Sequence, residues 1–236
     1  FSLLVGLKKL DMFPSTTNPK VKTAVQKLGS VMYPPTLDDI PGYDPNFQFS
    51  SEEPFEIEEG SVYQGQWKGR FRNGMGRQLF ADGAVYEGTW IDDVPNGFGR
   101  LIRKNGDSYE GDIRNFRAHG KGKFVTLDGY SYFGSWLNDK KNGEGEEDNP
   151  IERYKYRGEF LDNKFHGRGI LTLENGTTYD GEWEEGEFTG KGTLFDAEKN
   201  EKYVGAWKNF KKCGQGTLWL ADGSIYIGSF NDDLPE

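Results

Sequence analysis

Tyrosines recur along this chain at a nearly constant spacing of 23 or 24 residues, and each opens the same pattern of apolar, small and polar positions. A glycine follows two positions later, a large apolar residue four positions later, and two more glycines eleven and thirteen positions later. A pattern kept in register this many times is an internal repeat. The repeat tyrosines are Tyr63, Tyr86, Tyr109, Tyr132, Tyr156, Tyr179, Tyr203 and Tyr226.

Each repeat predicts a β-hairpin. In "YEGTW", from Tyr86 to Trp90, the tyrosine, glycine and tryptophan alternate with polar residues, so they share one face of a strand. Glycine inside a strand marks a close approach, here by a neighbouring aromatic ring. A polar loop of about six residues follows, and Gly-x-Gly then opens a second strand, as in "GRQLFADG". The closing Asp-Gly or Asn-Gly favours a type I′ turn to the next repeat.

The predicted fold is all-β: an elongated, single-layer antiparallel meander of about 7.5 hairpins, or about fifteen strands, held together by contacts between neighbouring repeats. Residues 63–236 form this array and residues 1–62 an N-terminal arm. Two junctions, "EEDNPIERYKY" and "DAEKNEKY", depart from the pattern, so we expect a distorted hairpin or a bend there. The last repeat stops after one strand, which predicts an exposed edge.

The arm is rich in proline and mostly irregular, with one short helix predicted in "NPKVKTAVQKLG". Asn18 can cap this helix, Pro19 suits its first position and Gly29 can end it. The acidic stretch 51–60 contains Phe55 and Ile57, which favours a strand against the first repeat. The arm either covers the open end of the sheet or binds a partner and orders only in an assembly. The helix carries an apolar stripe of Val21, Ala24, Val25 and Leu28.

Composition indicates a folded chain with a thin core. Only 34% of the residues are hydrophobic and the mean hydropathy is -0.78, yet 15% are aromatic, whereas disordered chains are poor in aromatic residues. The net charge of -9 disfavours a nucleic acid partner. A single cysteine, Cys213, excludes an internal disulfide and fits a reducing compartment such as the cytoplasm.

The residues that could carry chemistry do not form a predicted site. His119, His166 and Cys213 all occupy the tenth position after a repeat tyrosine, where other repeats have asparagine or threonine. Successive repeats lie roughly 10 Å apart, so these side chains are too distant to share a metal ion or to form a dyad. A strand, not a helix, follows each Gly-x-Gly, which argues against a phosphate loop. We therefore predict no catalytic, cofactor-binding or metal-binding residues, no cofactor and no enzymatic activity.

The aromatic stripe is the candidate site. It is either a surface that binds a peptide or the hydrophobic core of a fold that otherwise has no core. The residues of this predicted aromatic face are Tyr63, Trp67, Tyr86, Trp90, Tyr109, Tyr132, Trp136, Tyr156, Phe160, Tyr179, Trp183, Tyr203, Trp207, Tyr226 and Phe230.

The recurring pattern YxGxWxxxxxxGxGxxxxxxDG resembles the MORN (membrane occupation and recognition nexus) repeat over about residues 63–236. The resemblance implies a non-catalytic scaffold that docks other proteins in a large assembly, as in radial spoke heads and other ciliary or cytoskeletal members. It implies a cytoplasmic location, with the cilium or axoneme or the cytoskeleton favoured. Ile113, Phe160 and Phe230 depart from the pattern by replacing tryptophan.

Two alternatives remain open at this stage. One is a tether near membranes or phosphoinositides. The net negative charge of the array argues against this alternative, so membrane contact is not favoured. The other is a regulatory module of an enzyme whose catalytic domain is absent from these 236 residues. The expected partners are other proteins of a multi-subunit assembly, and exposed sheet edges make a homo-oligomer a further alternative.

Overall fold

A computed structural model describes residues 16–28 and 54–236. It confirms the all-β class: a single open antiparallel sheet of seventeen strands in a meander, accompanied by one short helix in the described residues. The chain divides into two compact units, Phe1–Leu127 and Asp128–Glu236. The boundary at residue 62 between arm and array stays a prediction.

The first unit contains the helix and the first seven strands. Consecutive strands pair antiparallel from β1 to β7. Its elements are α1 (Pro19–Leu28), β1 (Phe55–Glu58), β2 (Ser61–Lys68), β3 (Phe71–Leu79), β4 (Val85–Ile91), β5 (Val94–Ile102), β6 (Ser108–Arg114) and β7 (Arg117–Val125).

The second unit contains ten strands, again paired consecutively. Its elements are β8 (Ser131–Leu137), β9 (Lys140–Asn149), β10 (Tyr154–Leu161), β11 (Lys164–Leu173), β12 (Thr178–Glu184), β13 (Glu187–Asp196), β14 (Glu201–Lys208), β15 (Lys211–Trp219), β16 (Ile225–Asn231) and β17 (Leu234–Pro235). The final strand is short, and it covers part of the edge that the sequence left exposed.

The turn inside each repeat is shorter than predicted. Asp92 and Asp93 alone connect β4 to β5, and both have positive φ angles, 46° and 69°. Two residues with positive φ are typical of a type I′ turn, whose twist matches that of the strands. The predicted six-residue loop is therefore wrong, because the second strand already begins three residues before Gly-x-Gly. The same pair of positive φ angles recurs at 115–116, 138–139, 162–163, 185–186, 209–210 and 232–233.

The turn between repeats is also different from the prediction. Gly83 has a φ of 85°, whereas Asp82 is not among the residues with positive φ, so this Asp-Gly is not a type I′ pair. The amide of Gly83 donates to the carbonyl of Phe80, and the amide of Phe80 to the carbonyl of Ala84. This pattern is a three-residue loop that ends in a left-handed glycine. The Asp82 carboxylate accepts from the Ala84 amide at 3.0 Å and stabilises the loop.

The two irregular junctions have longer turns and regular strands. Residues 150–153 and 197–200 form four-residue turns, and each ends in a residue with a left-handed φ, Arg153 at 62° and Asn200 at 52°. The strands on either side pair without a register shift. The irregular sequence therefore lengthens the turn and leaves the repeat intact.

The helix begins where the sequence predicts. The Asn18 side chain accepts hydrogen bonds from the amides of Lys20 and Val21 at 3.0 and 3.3 Å, which caps the helix. The predicted helix end at Gly29 lies outside the described residues. Helix α1 packs across one face of the sheet, with Val21 and Ala24 buried against strand residues. The free edge of β2 is instead paired with β1, which confirms the predicted strand against the first repeat.

Candidate functional site

In the seven complete repeats, each repeat tyrosine lies on two glycines of its own hairpin. A methyl group on Gly88 or Gly99 would stand 2.5 Å from the Tyr86 hydroxyl oxygen, closer than van der Waals contact permits. The two glycines are directly paired across β4 and β5. The ring that occupies the space above the glycines thus comes from the same repeat, not from a neighbour as predicted.

The buried hydroxyl of each tyrosine is satisfied locally. The Tyr86 hydroxyl donates to the carbonyl of Thr89, three residues later, at 2.9 Å. The same bond recurs in all eight repeats, at 2.6 to 3.1 Å. In several strand pairs a bulge separates the glycine from the following large residue, as between Gly88 and Trp90.

Large residues of consecutive repeats pack edge-to-face around each tyrosine. The Tyr179 ring lies 5.2 Å from Trp183 of its own repeat and 5.5 Å from Trp207 of the next, with interplanar angles of 90° in both cases. Such contacts contribute about 0.5–1.5 kcal/mol each beyond area burial. The hydrophobic stripe is thus continuous within each unit, and one hairpin stabilises the next.

The predicted aromatic face is therefore mostly core. Twelve of its fifteen residues are buried, and only Trp67, Trp136 and Tyr226 are half-buried. Burial raises the pKa of the Tyr63, Tyr132, Tyr156 and Tyr179 hydroxyls above the ordinary tyrosine value. Direct contact of these fifteen residues with a partner stays a prediction.

A second position, not singled out in the sequence, covers the outer side of the tyrosine ring. Phe165 stacks on Tyr156 with centroids 3.8 Å apart, and Phe188 stacks on Tyr179 at 3.7 Å. Both lie nine residues after their tyrosine and two before Gly-x-Gly, which is the signal that could have identified them. We call this the lid position. Its occupants are Arg72, Pro95, Ala118, Lys141, Phe165, Phe188 and Lys212.

In the fourth, fifth and sixth repeats the lid residue matches the residue at the fifteenth position after the tyrosine. Lys141 forms an ion pair with Glu147, whose side chain is 3% exposed. Glu147 also accepts from the Tyr130 and Tyr154 hydroxyls at 2.9 and 2.6 Å. Burial, followed by the nearby Glu147 carboxylate, raises the pKa of both tyrosines. Repeats with a phenylalanine lid have leucine instead at the fifteenth position, Leu171 and Leu194.

In the first unit two of the lid residues, Pro95 and Ala118, are small. A cleft of about 440 Å³ lies beside Pro95, although the repeat tyrosines Tyr86 and Tyr109 are themselves buried. Trp67, Trp90 and Phe116 contribute aromatic surface to this cleft. An adjoining hollow of about 630 Å³ shares Phe116 with it. We call the two together the aromatic cleft; residues shared by both parts are Glu58, Phe80 and Phe116.

Fixed polar groups form one wall of the aromatic cleft. The Arg72 guanidinium donates to the Asp93 carboxylate at 2.9 Å and to the Asp93 carbonyl at 3.0 Å. It also lies 4.4 Å from the centre of the Trp90 ring. Phe80 stacks on Phe116 at 5.9 Å, and Phe116 remains 42% exposed. The cleft therefore combines rigid aromatic surface with cations that are held in place.

The candidate chemical residues are not brought together. His119, His166 and Cys213 lie on β7, β11 and β15, respectively. Within residues 16–28 and 54–236, no three histidine, cysteine or acidic side chains are grouped so that they could hold a metal ion. The only helix in that part of the chain has ten residues, and none there meets the length and apolarity needed to cross a bilayer.

Solved structures show only a distant likeness. The TCP domain of SAS-4 from Drosophila melanogaster, in complex with a proline-rich motif of Ana2, is 16% identical, with a TM-score of 0.37 over 82% of this chain and 100% of that one. The TCP10 domain of Danio rerio CPAP, in complex with a peptide of STIL, is 10% identical, with a TM-score of 0.25 over 72% and 83%. No curated protein matches the sequence.

The repeat itself has a clear match. The MORN repeat pattern fits seven consecutive segments that together span most of the chain. These are residues 63–85, 86–108, 109–129, 132–150, 156–178, 179–198 and 203–225. MORN repeats indicate a repeat scaffold that serves as an interaction module, without pointing to catalysis. Since the match covers more than half of its residues, the chain belongs to the MORN repeat family.

Proposed function

We propose that this protein is a non-catalytic scaffold that docks other proteins, and that the aromatic cleft of the first unit is a docking surface. The observation that carries the proposal is the cleft beside the small lid residue Pro95, which is lined by Trp67, Phe80 and Phe116. In the second unit the larger lids Phe165 and Phe188 stack on their tyrosines. A concave surface with aromatic walls and a few fixed polar groups is typical of a binding site.

The chemistry of the cleft favours an extended peptide with proline or aromatic side chains. Proline-rich segments dock in aromatic-lined grooves because their conformation is already fixed before binding. Arg70 borders the first part of the cleft, and Arg103 and Lys104 border the second. These cations favour a carboxylate beside the apolar side chains of the peptide.

We further propose that the scaffold works in a large cytoplasmic assembly, of the ciliary axoneme (as in a radial spoke) or of the cytoskeleton. This step rests on the resemblance to the family and on the repeat architecture, since an array of hairpins can display several surfaces to different partners.

Selection from a random peptide library, displayed on phage and panned against the full chain, tests the docking role. Enriched peptides are then measured by calorimetry against wild type, Phe116→Ala and Phe210→Ala. Phe210 is the matched control, because it lies at the same turn position of the last complete repeat and is 50% exposed. We expect peptides with proline or aromatic residues, at least tenfold weaker binding to Phe116→Ala, and unchanged binding to Phe210→Ala.

Two results would overturn this assignment. One is the absence of any enriched peptide. The other is a set of peptides whose affinity does not change in Phe116→Ala while that variant keeps the wild-type melting temperature.

A further inference from the structure

The face of each hairpin that points away from the repeat tyrosine, here called the opposite face, differs between the two units. In the first unit, helix α1 lies on Leu79, Val85 and Ile102, which are paired side by side on β3, β4 and β5. These residues occupy two repeat positions: one before the tyrosine, as in Val85, and sixteen after it, as in Leu79 and Ile102. In the first unit, the residues at those two positions therefore form the surface on which the helix packs.

The same two positions carry large apolar side chains near the end of the second unit. Phe195 and Trp219 lie sixteen residues after their tyrosines, and Ile225 lies one before its tyrosine. Register places them in a row across β13 to β16, with Lys202 between Phe195 and Trp219. Phe195 is 37% exposed and Ile225 57% exposed, so no described part of the chain covers the row as α1 covers its counterpart.

A second apolar row runs beside the first. Val204 and Ile227 lie one residue after their tyrosines and are joined through Thr217 on β15. Val204 is 39% exposed and Ile227 76% exposed. In the first unit this second row is polar: Glu110 lies one residue after Tyr109 and forms an ion pair with Arg100 on the neighbouring strand. We define the C-terminal patch as Phe195, Val204, Trp219, Ile225 and Ile227.

The middle repeats show that the positions of the first row are not apolar throughout the sheet. Asp148 and Lys155 occupy the equivalent places on β9 and β10 and form an ion pair at 2.7 Å. Thr172 and Thr178 follow on β11 and β12. In the second row the middle repeats have only separate apolar residues, Phe133 and Ile170, among charged ones. Apolar residues gathered at one end of a sheet, where the other repeats place mostly polar ones, mark an interaction surface.

We propose that the C-terminal patch is the docking site for an amphipathic helix of a partner protein, with an apolar stripe flanked by acidic side chains. This surface is separate from the aromatic cleft and does not depend on it. Four strands span roughly 14 Å from the first to the last. A helix of about three turns covers the same distance, which is the length of α1.

Charge identifies the occupant as acidic. The Lys202 ammonium lies over the Trp219 ring at 5.6 Å, and no carboxylate of the described residues forms an ion pair with it. Lys191, exposed on the same face, is likewise unpaired among the described residues. Both lysines would gain a partner from a glutamate beside the apolar stripe. The nearby acids are Asp180, paired with Thr193 at the side of the patch, and Glu182, which lies over Gly190.

The same charges disfavour the other occupants. Helix α1 of a second copy has Lys20, Lys22 and Lys27 and no acidic residue, so it would bring lysines to Lys202. Two patches facing each other would also oppose like charges. An anionic membrane would meet Asp222, Asp232 and Asp233 in the turns that flank β16.

The test uses the full chain and a library of helices displayed on a stable three-helix scaffold, with the exposed positions of one helix randomised. Enriched helices are measured against wild type, Ile227→Thr, Lys202→Glu and Phe133→Thr. Threonine is well tolerated in strands. Phe133 is the matched control, since it occupies the same repeat position as Ile227 and is 58% exposed, but faces Glu146.

We expect enriched helices with apolar residues at i, i+3, i+4 and i+7 flanked by glutamate or aspartate. Their affinity should fall at least tenfold in Ile227→Thr and Lys202→Glu and stay unchanged in Phe133→Thr. Replacing the acidic residues of the helix with lysine should restore binding to Lys202→Glu.

Several results would overturn the proposal. One is that no helix is enriched from the library. Another is that the enriched helices bind folded Ile227→Thr as tightly as they bind the wild type. A dimer in sedimentation that Ile227→Thr dissociates would assign the patch to a second copy. Binding to vesicles of phosphatidylcholine and phosphatidylserine that Ile227→Thr abolishes would assign it to a membrane.

Discussion

At the scale of single residues, the tyrosine ring lies so close to two paired glycines that a methyl group on either would overlap it. Tyr179 shows the arrangement from both sides, because Phe188 stacks on the other face of its ring at 3.7 Å. The ring therefore has no direction in which to move. This explains why each repeat needs glycine at both positions although neither Gly181 nor Gly192 has a left-handed φ.

Gly192→Ala is expected to destabilise the protein by about 1–3 kcal/mol, because the added methyl group would stand 2.5 Å from the Tyr179 hydroxyl oxygen. Gly186→Ala, in the same repeat, is the control. Gly186 has a φ of 91° and nothing within 4 Å of an added methyl group, so only backbone strain of about 1 kcal/mol is expected there. Urea unfolding measures the loss of unfolding free energy in both variants. A smaller loss for Gly192→Ala than for Gly186→Ala would contradict the packing argument.

The sequence identified the tyrosines and glycines but not how they contact each other. Spacing shows that Tyr86, Gly88 and Gly99 recur together, whereas only coordinates show the ring of Tyr86 lying on both glycines. The lid position was missed because its occupants differ so widely in chemistry, from Pro95 to Phe188. A search for conserved residue types cannot detect a position defined by contact.

At the scale of elements, the lid and the fifteenth position act as a pair. In the fourth repeat, Lys141 and Glu147 take the places that Phe165 and Leu171 take in the fifth. A buried charge is costly unless it is paired, so the nearly buried Glu147 depends on Lys141.

Lys141→Phe is therefore expected to cost about 3–5 kcal/mol, since it leaves the Glu147 carboxylate buried without its cation. The double variant Lys141→Phe with Glu147→Leu restores the combination of the fifth and sixth repeats and should recover much of that loss. Recovery is incomplete because Tyr130 and Tyr154 lose their acceptor. Additive effects of the two substitutions in a double-mutant cycle of unfolding free energies would refute the pairing.

Helix α1 depends on its cap. Asn18→Ala should reduce stability by about 1 kcal/mol, because the amides of Lys20 and Val21 lose their acceptor. The same change removes a hydrogen bond of 2.9 Å to the Lys104 carbonyl. Lys22→Ala, exposed on the same helix, should have almost no effect. Thermal unfolding compares the two, and equal melting temperatures would show that the cap is dispensable.

The elements themselves could be predicted better than the turns. Alternation located the strands, and the cap and stripe located α1 at Pro19–Leu28. The type I′ turns were assigned to Asp-Gly, the strongest short signal for them, although they lie at pairs such as Asn138 and Asp139. Asp and Asn tolerate a left-handed φ well enough to form these turns without glycine.

At the scale of the whole molecule, stability rests on buried aromatic rings with raised pKa values. Burial is the main cause of the shift in Tyr63, Tyr130, Tyr132, Tyr154, Tyr156 and Tyr179. A group whose pKa is higher in the folded state stabilises the fold at every pH below its unfolded value, about 10 for tyrosine. That contribution is lost as the pH rises through and above this value.

The free energy of unfolding is thus expected to fall above pH 10, and the buried tyrosines should ionise only on unfolding. Tyrosinate absorbance and circular dichroism, followed together from pH 8 to 12, give the test. Absorbance that rises near pH 10 for all twelve tyrosines while the strands remain intact would contradict burial of the rings.

The sequence could predict the class of fold and the buried stripe, but not where a cleft lies beside that stripe. The aromatic cleft depends on a difference in size at one position, between Pro95 and residues such as Phe165. The C-terminal patch depends on which strand residues are left uncovered, and that requires the location of α1. Both surfaces arise from departures within the repeat, whereas sequence periodicity emphasises what the repeats share.

We propose above all that this scaffold binds a peptide in the aromatic cleft of the first unit. Hydrogen exchange of the full chain, with and without a peptide selected from the phage library, is the sharpest test. We expect slower exchange confined to segments that line the cleft, around Trp67 to Arg72, Phe80 to Asp82 and Arg103 to Phe116. Protection elsewhere, with these segments unchanged, would contradict it.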